Sequence, residues 1–256
     1  MRLDKLMEQE NFGSRRKVKA LIRSKQVRVD GHIIMDESLN VDAALHEIFV
    51  GERQILQKTH VYYMLNKPQG VVTAVRDVKH QTVIDLIEKK DQRAGLYPIG
   101  RLDRDTEGLL LLTDNGQLGY QLLQPQKKVL KRYEVIVNER LTKEDCVAFA
   151  QGIVFSDGKK CLAAKLQILS AEEHQSQAYL DITEGKFHQV KKMFLAVGKK
   201  VIYLKRLSMG PVVLDPMLSS GEYRSLNPEE LQALLPYFTI HKKETSVKHE
   251  IYNTTI

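Results

Sequence analysis

Tyr97-Pro98-Ile99-Gly100-Arg101-Leu102-Asp103-Arg104-Asp105-Thr106-Glu107-Gly108-Leu109 is the stretch on which the reading of this chain turns. Leu96 to Ile99 reads as a short strand running into Gly100. Leu109 to Thr113 reads as a buried strand, ended by the turn residues Asp114-Asn115-Gly116. Between them lies a tight loop carrying three acids and two arginines. A loop tied at both ends to strands holds its carboxylates at a fixed place beside the core. Two kinds of chemistry fit it. Asp103, Asp105 and Glu107 alternate, so the three acids could face one way and hold magnesium. Alternatively one acid does the chemistry while Arg101 and Arg104 meet the phosphates of a substrate. The interleaved arginines weigh against a dense metal site, because they compete for the same ligands, and Asp105-Thr106 read alone would cap a turn.

Outward from this loop the pattern is one of strands and scattered helices. Val61 to Leu65 is apolar and β-prone, and Lys67-Pro68-Gln69-Gly70 turns it. Thr82 to Lys89 is predicted helical. Tyr133, Val135 and Val137 alternate as a half-buried strand, and Tyr179 to Ile182 is another strand. Thr142 caps a helix running to Gln151, with Gly152 just past its end. His188 to Val197 is predicted helical, stopped by Gly198. Asn227-Pro228-Glu229-Glu230 is a helix start, with a cap, a first-turn proline and acids at the positive dipole end. Cys146 lies on an amphipathic helix and reads as core. Without a strict βαβ rhythm, the expected class is α+β with a largely antiparallel or mixed sheet.

Residues 1–58 read as a separate, smaller unit. Leu3, Leu6 and Met7 share a helical face, and Gly13 ends that segment. Ser14 then caps a second helix with a buried stripe of Val18, Leu21 and Ile22. Val27 and Val29 alternate with polar residues, Asp30-Gly31 is a hairpin turn, and Ile33-Ile34 begin the return strand. Ile48 to Val50 closes the unit. Gln57-Lys58-Thr59 reads as a linker to a larger domain at 59–238. The polar, aperiodic stretch 239–256 is expected to be a disordered tail.

Charge narrows the function. The formal net charge of the 256 residues is +7. Arg15, Arg16, Lys17, Lys19, Arg23, Lys25 and Arg28 fall together with no acid among them. Lys127, Lys128, Lys131 and Arg132 form a second cluster, and Lys186, Lys191, Lys192, Lys199, Lys200, Lys205 and Arg206 a third. Three such clusters on one chain suit a polyanion such as RNA. No apolar run approaches the ~18 residues of a membrane span, and the opening Met1-Arg2-Leu3-Asp4 lacks the apolar stretch of a secretion signal. Cys146 and Cys161 are far apart and outside any CxxC spacing, so neither a disulfide framework nor a zinc site is expected, and the cytoplasm is the expected compartment. Neither a GxGxxG nor a GxxxxGK[ST] loop is present.

Two resemblances sharpen these readings. Arg2-Leu3-Asp4-Lys5, Ser14-Arg15-Arg16, Leu21-Ile22 and Val27-Arg28-Val29-Asp30-Gly31 resemble the RNA-binding domain named after ribosomal protein S-four. Gly100-Arg101-Leu102-Asp103, followed by Asp105-Thr106, Gly108-Leu109-Leu110 and Thr113-Asp114-Asn115-Gly116, resembles the signature loop of pseudouridine synthases, most closely the RsuA type that modifies small-subunit ribosomal RNA. Leu65-Asn66-Lys67-Pro68-Gln69-Gly70, Lys131-Arg132-Tyr133 and Glu184-Gly185-Lys186-Phe187-His188-Gln189-Val190-Lys191-Lys192-Met193 agree in order. So do Leu204, Arg206, Gly210 and Leu214. The two resemblances together run from Arg2 to about Phe238.

The resemblance implies Asp103 as the essential carboxylate, Tyr133 as the aromatic stacked on the target uracil, and Lys191 as the cation paired with Asp103. Arg101 is implied as the residue pushed into the RNA stack. Arg15, Arg16, Lys17, Lys67, Lys131 and Lys192 are expected RNA contacts. His188 is implied to support the site structurally. Lys192 stands where many relatives carry Arg, losing bidentate phosphate contact but keeping the charge. The isomerisation breaks the bond from sugar to ring nitrogen, turns the uracil, and rejoins it through a ring carbon. Nothing is added or removed, so neither cofactor nor metal is expected. The carboxylate acts either as nucleophile at the anomeric carbon or as base at the neighbouring sugar carbon. An adjacent cation favours the charged form of a carboxylate, and an aromatic face recovers part of the cost of flipping the base. The expected partner is ribosomal RNA or a partly assembled ribosomal subunit, with the chain a monomer. The rival reading is a non-catalytic RNA-binding or ribosome-assembly protein, which explains the basic clusters but not the Asp103 loop.

Overall fold

The computed structural model describes residues 1–57 and 60–238. Lys58 and Thr59 of the expected linker, and the expected tail at 239–256, lie outside the described residues. The described chain forms two units, one of Met1–Val41 with Glu47–Ile55, the other of Asp42–His46 with Leu56–Phe238.

In the smaller unit, α1 (Leu3–Gln9) and α2 (Arg15–Arg23) precede β1 (Val27–Val29), β2 (His32–Ile33), β3 (Ile48–Val50) and β4 (Arg53–Ile55), which form an antiparallel sheet in the order β2-β1-β3-β4. Leu3, Leu6, Met7, Val18 and Ile22 are buried, which is the apolar stripe read in the sequence with Leu21 at its edge. Asp30 and Gly31 both take positive φ, 49° and 77°, as a two-residue hairpin turn demands. Three details differ from expectation. The first helix ends at Gln9, four residues before Gly13, and Asn11 already turns left-handed. Ser14 stands at the N-cap of α2 but its side chain makes no capping bond. Arg53–Ile55 adds a strand beyond the one expected to close the unit, because Val50 and Arg53 pair across a tight turn.

The larger unit is built on a nine-stranded mixed sheet in the order β13-β5-β7-β11-β8-β10-β9, with β6 and β12 joined to β7 and β11. Its strands are β5 (Tyr62–Lys67), β6 (Tyr97–Ile99), β7 (Glu107–Thr113), β8 (Lys131–Val137), β9 (Lys165–Ala171), β10 (Ser176–Ile182), β11 (Val201–Met209), β12 (Val212–Val213) and β13 (Tyr223–Ser225). Among the described residues four α-helices accompany it: α3 (Gly116–Leu123), α4 (Lys143–Gln151), α5 (Gln189–Ala196) and α6 (Pro228–Leu234). Among the described strands, only the β7–β11 pairing is parallel. One sheet face packs around Leu65, Leu110, Tyr133, Val135, Phe149 and Phe194. The other packs around Met64, Ile99, Leu109, Leu111, Leu118 and Leu234. With both faces covered, β5 and the Gly108–Thr113 run of β7 are buried throughout, which is why Tyr62–Leu65 and Leu109–Leu112 read as apolar runs without alternation.

The expected helix at Thr82–Lys89 is instead a series of turns. Asp85 accepts hydrogen bonds from the backbone N–H and hydroxyl of Thr82, at 2.7 and 2.9 Å, closing the chain locally. Thr82, Val83, Ile84 and Ile87 are β-branched and offer little resistance to leaving the helix. Val83 and Ile87 still reach the core. Cys146 is only half-buried, while Cys161 is buried, and both are free thiols.

The segment Asp42–His46 belongs with the larger unit. Tyr62 donates to the buried Asp42 carboxylate, and Asn115 Nδ2 donates both to Asp42 Oδ2 (3.1 Å) and to the Tyr62 hydroxyl (2.7 Å). Burial foremost, and then the Asp42 charge, push the Tyr62 phenol far up, so it acts as a donor here.

Candidate active site

Strand β7 sets the position of the Asp103 loop. Along one edge it pairs with β5 from Gly108 to Thr113. Its other edge is shared: β11 pairs at Glu107 and Gly108, and β6 at Leu111 to Thr113. The chain therefore leaves β6 at Ile99, loops outward through Gly100 to Thr106, and returns beside β11. Gly108 makes this possible. Its φ is +98°, and a Cβ there would lie 2.3 Å from the carbonyl oxygen of Arg206. Only glycine lets the two backbones meet so closely.

The segment Lys67 to Thr73 clamps the loop from beneath. Gly70 N–H donates to Arg104 O (2.8 Å) and the Arg104 Nε donates back to Gly70 O (3.0 Å). The Thr73 hydroxyl donates to Leu102 O at 2.7 Å and lies 3.2 Å from Leu102 N, which donates to it. Lys67 Nζ donates to three carbonyls, Pro68 (2.9 Å), Arg104 (3.3 Å) and Thr106 (2.9 Å). This corrects the reading of Lys67 as an RNA contact. The side chain is fully buried, its three donors are used inside the protein, and burial lowers its pKa to about 8 despite the nearby acids. Thr73, silent in the sequence, is a clamp residue that only the fold reveals.

Strand β10 leads through a loop into α5, and that loop is locked in turn. The buried Gln189 accepts from Lys186 N (2.8 Å) and donates to Glu184 (2.8 Å), which also accepts from Leu162 N (2.9 Å). His188 at the N-cap of α5 takes a left-handed backbone, φ 52° and ψ 34°. One turn on, Lys191 brings its ammonium to 3.2 Å from Asp103 Oδ2 and 2.5 Å from Asp105 Oδ1. His188 Nε2 lies 3.6 Å from Asp103 Oδ1.

Three features of the sequence reading are thus brought together: Asp103, Lys191 and His188. Asp105 is an addition. Read alone as a turn cap, it is a second carboxylate on Lys191, and the two-residue spacing from Asp103 is the signal that could have shown it. Burial opposes the charge on Lys191, but the two carboxylates outweigh it and raise the pKa. For Asp105, burial pulls upward and the Lys191 contact prevails, lowering the pKa. The alternating acids do not converge on one point, because Glu107 accepts instead from the Tyr203 hydroxyl at 3.0 Å. Burial and then Glu107 push that phenol well up.

Tyr133 sits on β8, buried and opposite Arg206 of β11 and Leu180 of β10. Arg206, counted in a basic surface cluster from sequence, is 2% exposed. Its Nε donates to Leu109 O (2.7 Å), and among the described residues its Nη2 has no hydrogen-bond partner. Lys131 is half-buried, with Nζ donating to Val129 O at 2.9 Å. Burial and then Arg206 depress its pKa to about 8. Arg101 is exposed on the loop. Lys192 lies with its ammonium over Phe155 (5.8 Å) and Phe187 (5.2 Å). In the smaller unit Arg15, Arg16 and Lys17 are all exposed on α2.

This geometry has counterparts. Residues 61–196 match the family described as RNA pseudouridylate synthase. The chain belongs to that family. The synthase also carries an S4 domain over residues 1–44. It is 46% identical to YtzG of Bacillus subtilis, described as an uncharacterized RNA pseudouridine synthase, over 91% of this chain and 98% of the relative. With ribosomal small subunit pseudouridine synthase A of Escherichia coli it shares 35% identity, over 92% of this chain and 100% of the relative. A crystal structure of a pseudouridylate synthase superposes with a TM-score of 0.64 at 34% identity, covering 91% of this chain and 99% of that one. The synthase is therefore an enzyme of the isomerase class, and the non-catalytic alternative falls away.

Proposed function

We propose that this synthase isomerises a uridine of ribosomal RNA, most specifically of the small subunit, with Asp103 as the catalytic carboxylate. The observation that carries the reading is the Asp103 carboxylate itself. It is partly shielded on a clamped loop, with Lys191 at 3.2 Å and the His188 imidazole at 3.6 Å. The small-subunit assignment is supported by the names of relatives that align over nearly all of the chain. The two free thiols suit the cytoplasm, where ribosomes are assembled.

In the reaction the target uridine leaves the RNA stack, and Tyr133 offers an aromatic surface to its ring. Asp103 acts at the sugar, on the anomeric carbon or on the proton of its neighbour. The bond from the anomeric carbon to ring nitrogen N1 breaks, the uracil turns, and a bond from the same sugar carbon to ring carbon C5 forms. The proton on C5 is lost to solvent and N1 gains one, so atoms and electrons balance. Lys191 holds Asp103 in place and offsets the charge of two neighbouring carboxylates. Arg101 enters the gap left in the stack, while Arg15, Arg16 and Lys17 hold RNA backbone at the S4 domain.

The test is tritium release from ribosomal RNA labelled at uracil C5, comparing small- and large-subunit RNA, with and without chelator. Release from small-subunit RNA by the wild type and none by Asp103→Asn is the expected result. Release from large-subunit RNA alone would overturn the substrate assignment, and release by Asp103→Asn would overturn the residue assignment.

A further inference from the structure

Phe187 is 74% exposed, and it immediately precedes His188. Single exposed apolar residues are common and ordinarily carry no meaning. Three observations set this one apart. Its ring stacks on the His188 imidazole, with centroids 3.8 Å apart and planes 20° from parallel. That same imidazole lies 3.6 Å from Asp103. The Lys192 ammonium stands 5.2 Å from the Phe187 centroid. The left-handed backbone of His188 is sparsely populated for a non-glycine residue and is held there by the Gln189–Glu184 lock.

An exposed aromatic ring, backed by a second ring and accompanied by a cation, is the composition of a stacking platform for single-stranded nucleic acid. When one uridine is flipped toward Asp103, its neighbours in the strand lose a stacking partner. From Phe187, the stack through His188 ends beside the Asp103 carboxylate, so a base resting on it would lie next to the flipped nucleotide. We propose that Phe187 is the platform for the nucleotide adjacent to the target uridine, with Lys192 balancing its phosphate. This rests on the pseudouridine synthase reading and adds a substrate subsite to it.

The sequence contains no tryptophan, so Phe187→Trp places a single fluorescent reporter on the platform while keeping an aromatic face. Phe187→Trp is expected to lose emission on titration with small-subunit ribosomal RNA. Leu169→Trp, on edge strand β9, is expected to keep its emission. Phe187→Ala is expected to raise KM on the order of tenfold with kcat within about twofold, the pattern of lost uniform binding. Unquenched Phe187→Trp emission would overturn the proposal. So would a Phe187→Ala variant with lowered kcat and unchanged KM, which would make the ring a prop for His188 alone. Quenching without wild-type release would count against the ribosomal substrate and leave the platform standing.

Discussion

Asp103 and Asp105 share one lysine but differ in surroundings, and that difference predicts different consequences. The Asp103 side chain is 27% exposed and that of Asp105 is 69% exposed. An exposed pair is worth about 0–1 kcal/mol, so Asp105→Asn is expected to lower kcat by no more than about fivefold. Asp103→Asn is expected to lower it by at least about 10²- to 10⁴-fold, the range of a lost acid–base group. Single-turnover kinetics on labelled RNA would separate the two, and equal losses would mean that the carboxylates act as a unit. Lys67 yields a pH prediction. Its folded pKa of about 8 lies below the ordinary lysine value of 10.5, so between those pH values the unfolded chain binds more protons at this site. Its contribution to stability is therefore least favourable below pH 8 and improves as pH rises toward 10.5. Denaturant titrations of wild type and Lys67→Met at neutral and alkaline pH should show this rise in the wild type and its loss in the variant. No difference in slope between them would remove Lys67 as the cause.

At the scale of elements, the parallel contact of β7 with β11 holds the loop in register with the sheet. Gly108→Ala sets a methyl group against the Arg206 backbone in a strained conformation. It is expected to destabilise by about 3 kcal/mol or more. Gly116→Ala, at the first position of α3 with open space around its Cβ, is expected to change stability by less than about 0.5 kcal/mol. Thermal unfolding of both variants checks the contrast, and a mild Gly108→Ala would show that the strands can part without cost. The same strands show what sequence reading could see. Alternation located β8, with Tyr133, Val135 and Val137 buried as expected. Caps and stops located α4, α5 and α6. Thr82–Lys89 has apolar spacing that fits a helix, while the Asp85 side chain closes it into turns.

For the whole molecule, the +7 charge predicts salt-sensitive RNA binding. Arg15 and Arg16 are exposed on α2, and replacing both by Gln should flatten the dependence of log affinity on log salt by roughly 0.7 to 0.9 per lost phosphate contact. Filter binding across a salt series measures it, and an unchanged slope would remove α2 from the RNA interface. The charge total overstated the surface available for this. Lys67 and Arg206 are buried and Lys131 is half-buried, because each sits on or beside a strand of a sheet covered on both faces.

The sequence by itself determined the local and the periodic: which segments turn, cap or alternate, where charge gathers, and which ordered motifs place the chain among pseudouridine synthases. The meeting of Asp103 with Lys191 was legible because the two motifs that carry them are contiguous, each short enough to be read along the chain. Tertiary structure alone decided what depends on distant segments meeting. The Asp103 loop is held by Lys67 and Thr73, some thirty to forty residues earlier, through hydrogen bonds to backbone carbonyls that carry no residue signature. Arg206 and Gly108, almost a hundred residues apart, meet because one parallel strand pairing brings their backbones together. Whether a lysine faces solvent or carbonyls is fixed by the packing around it, and its one-letter code is the same in both places.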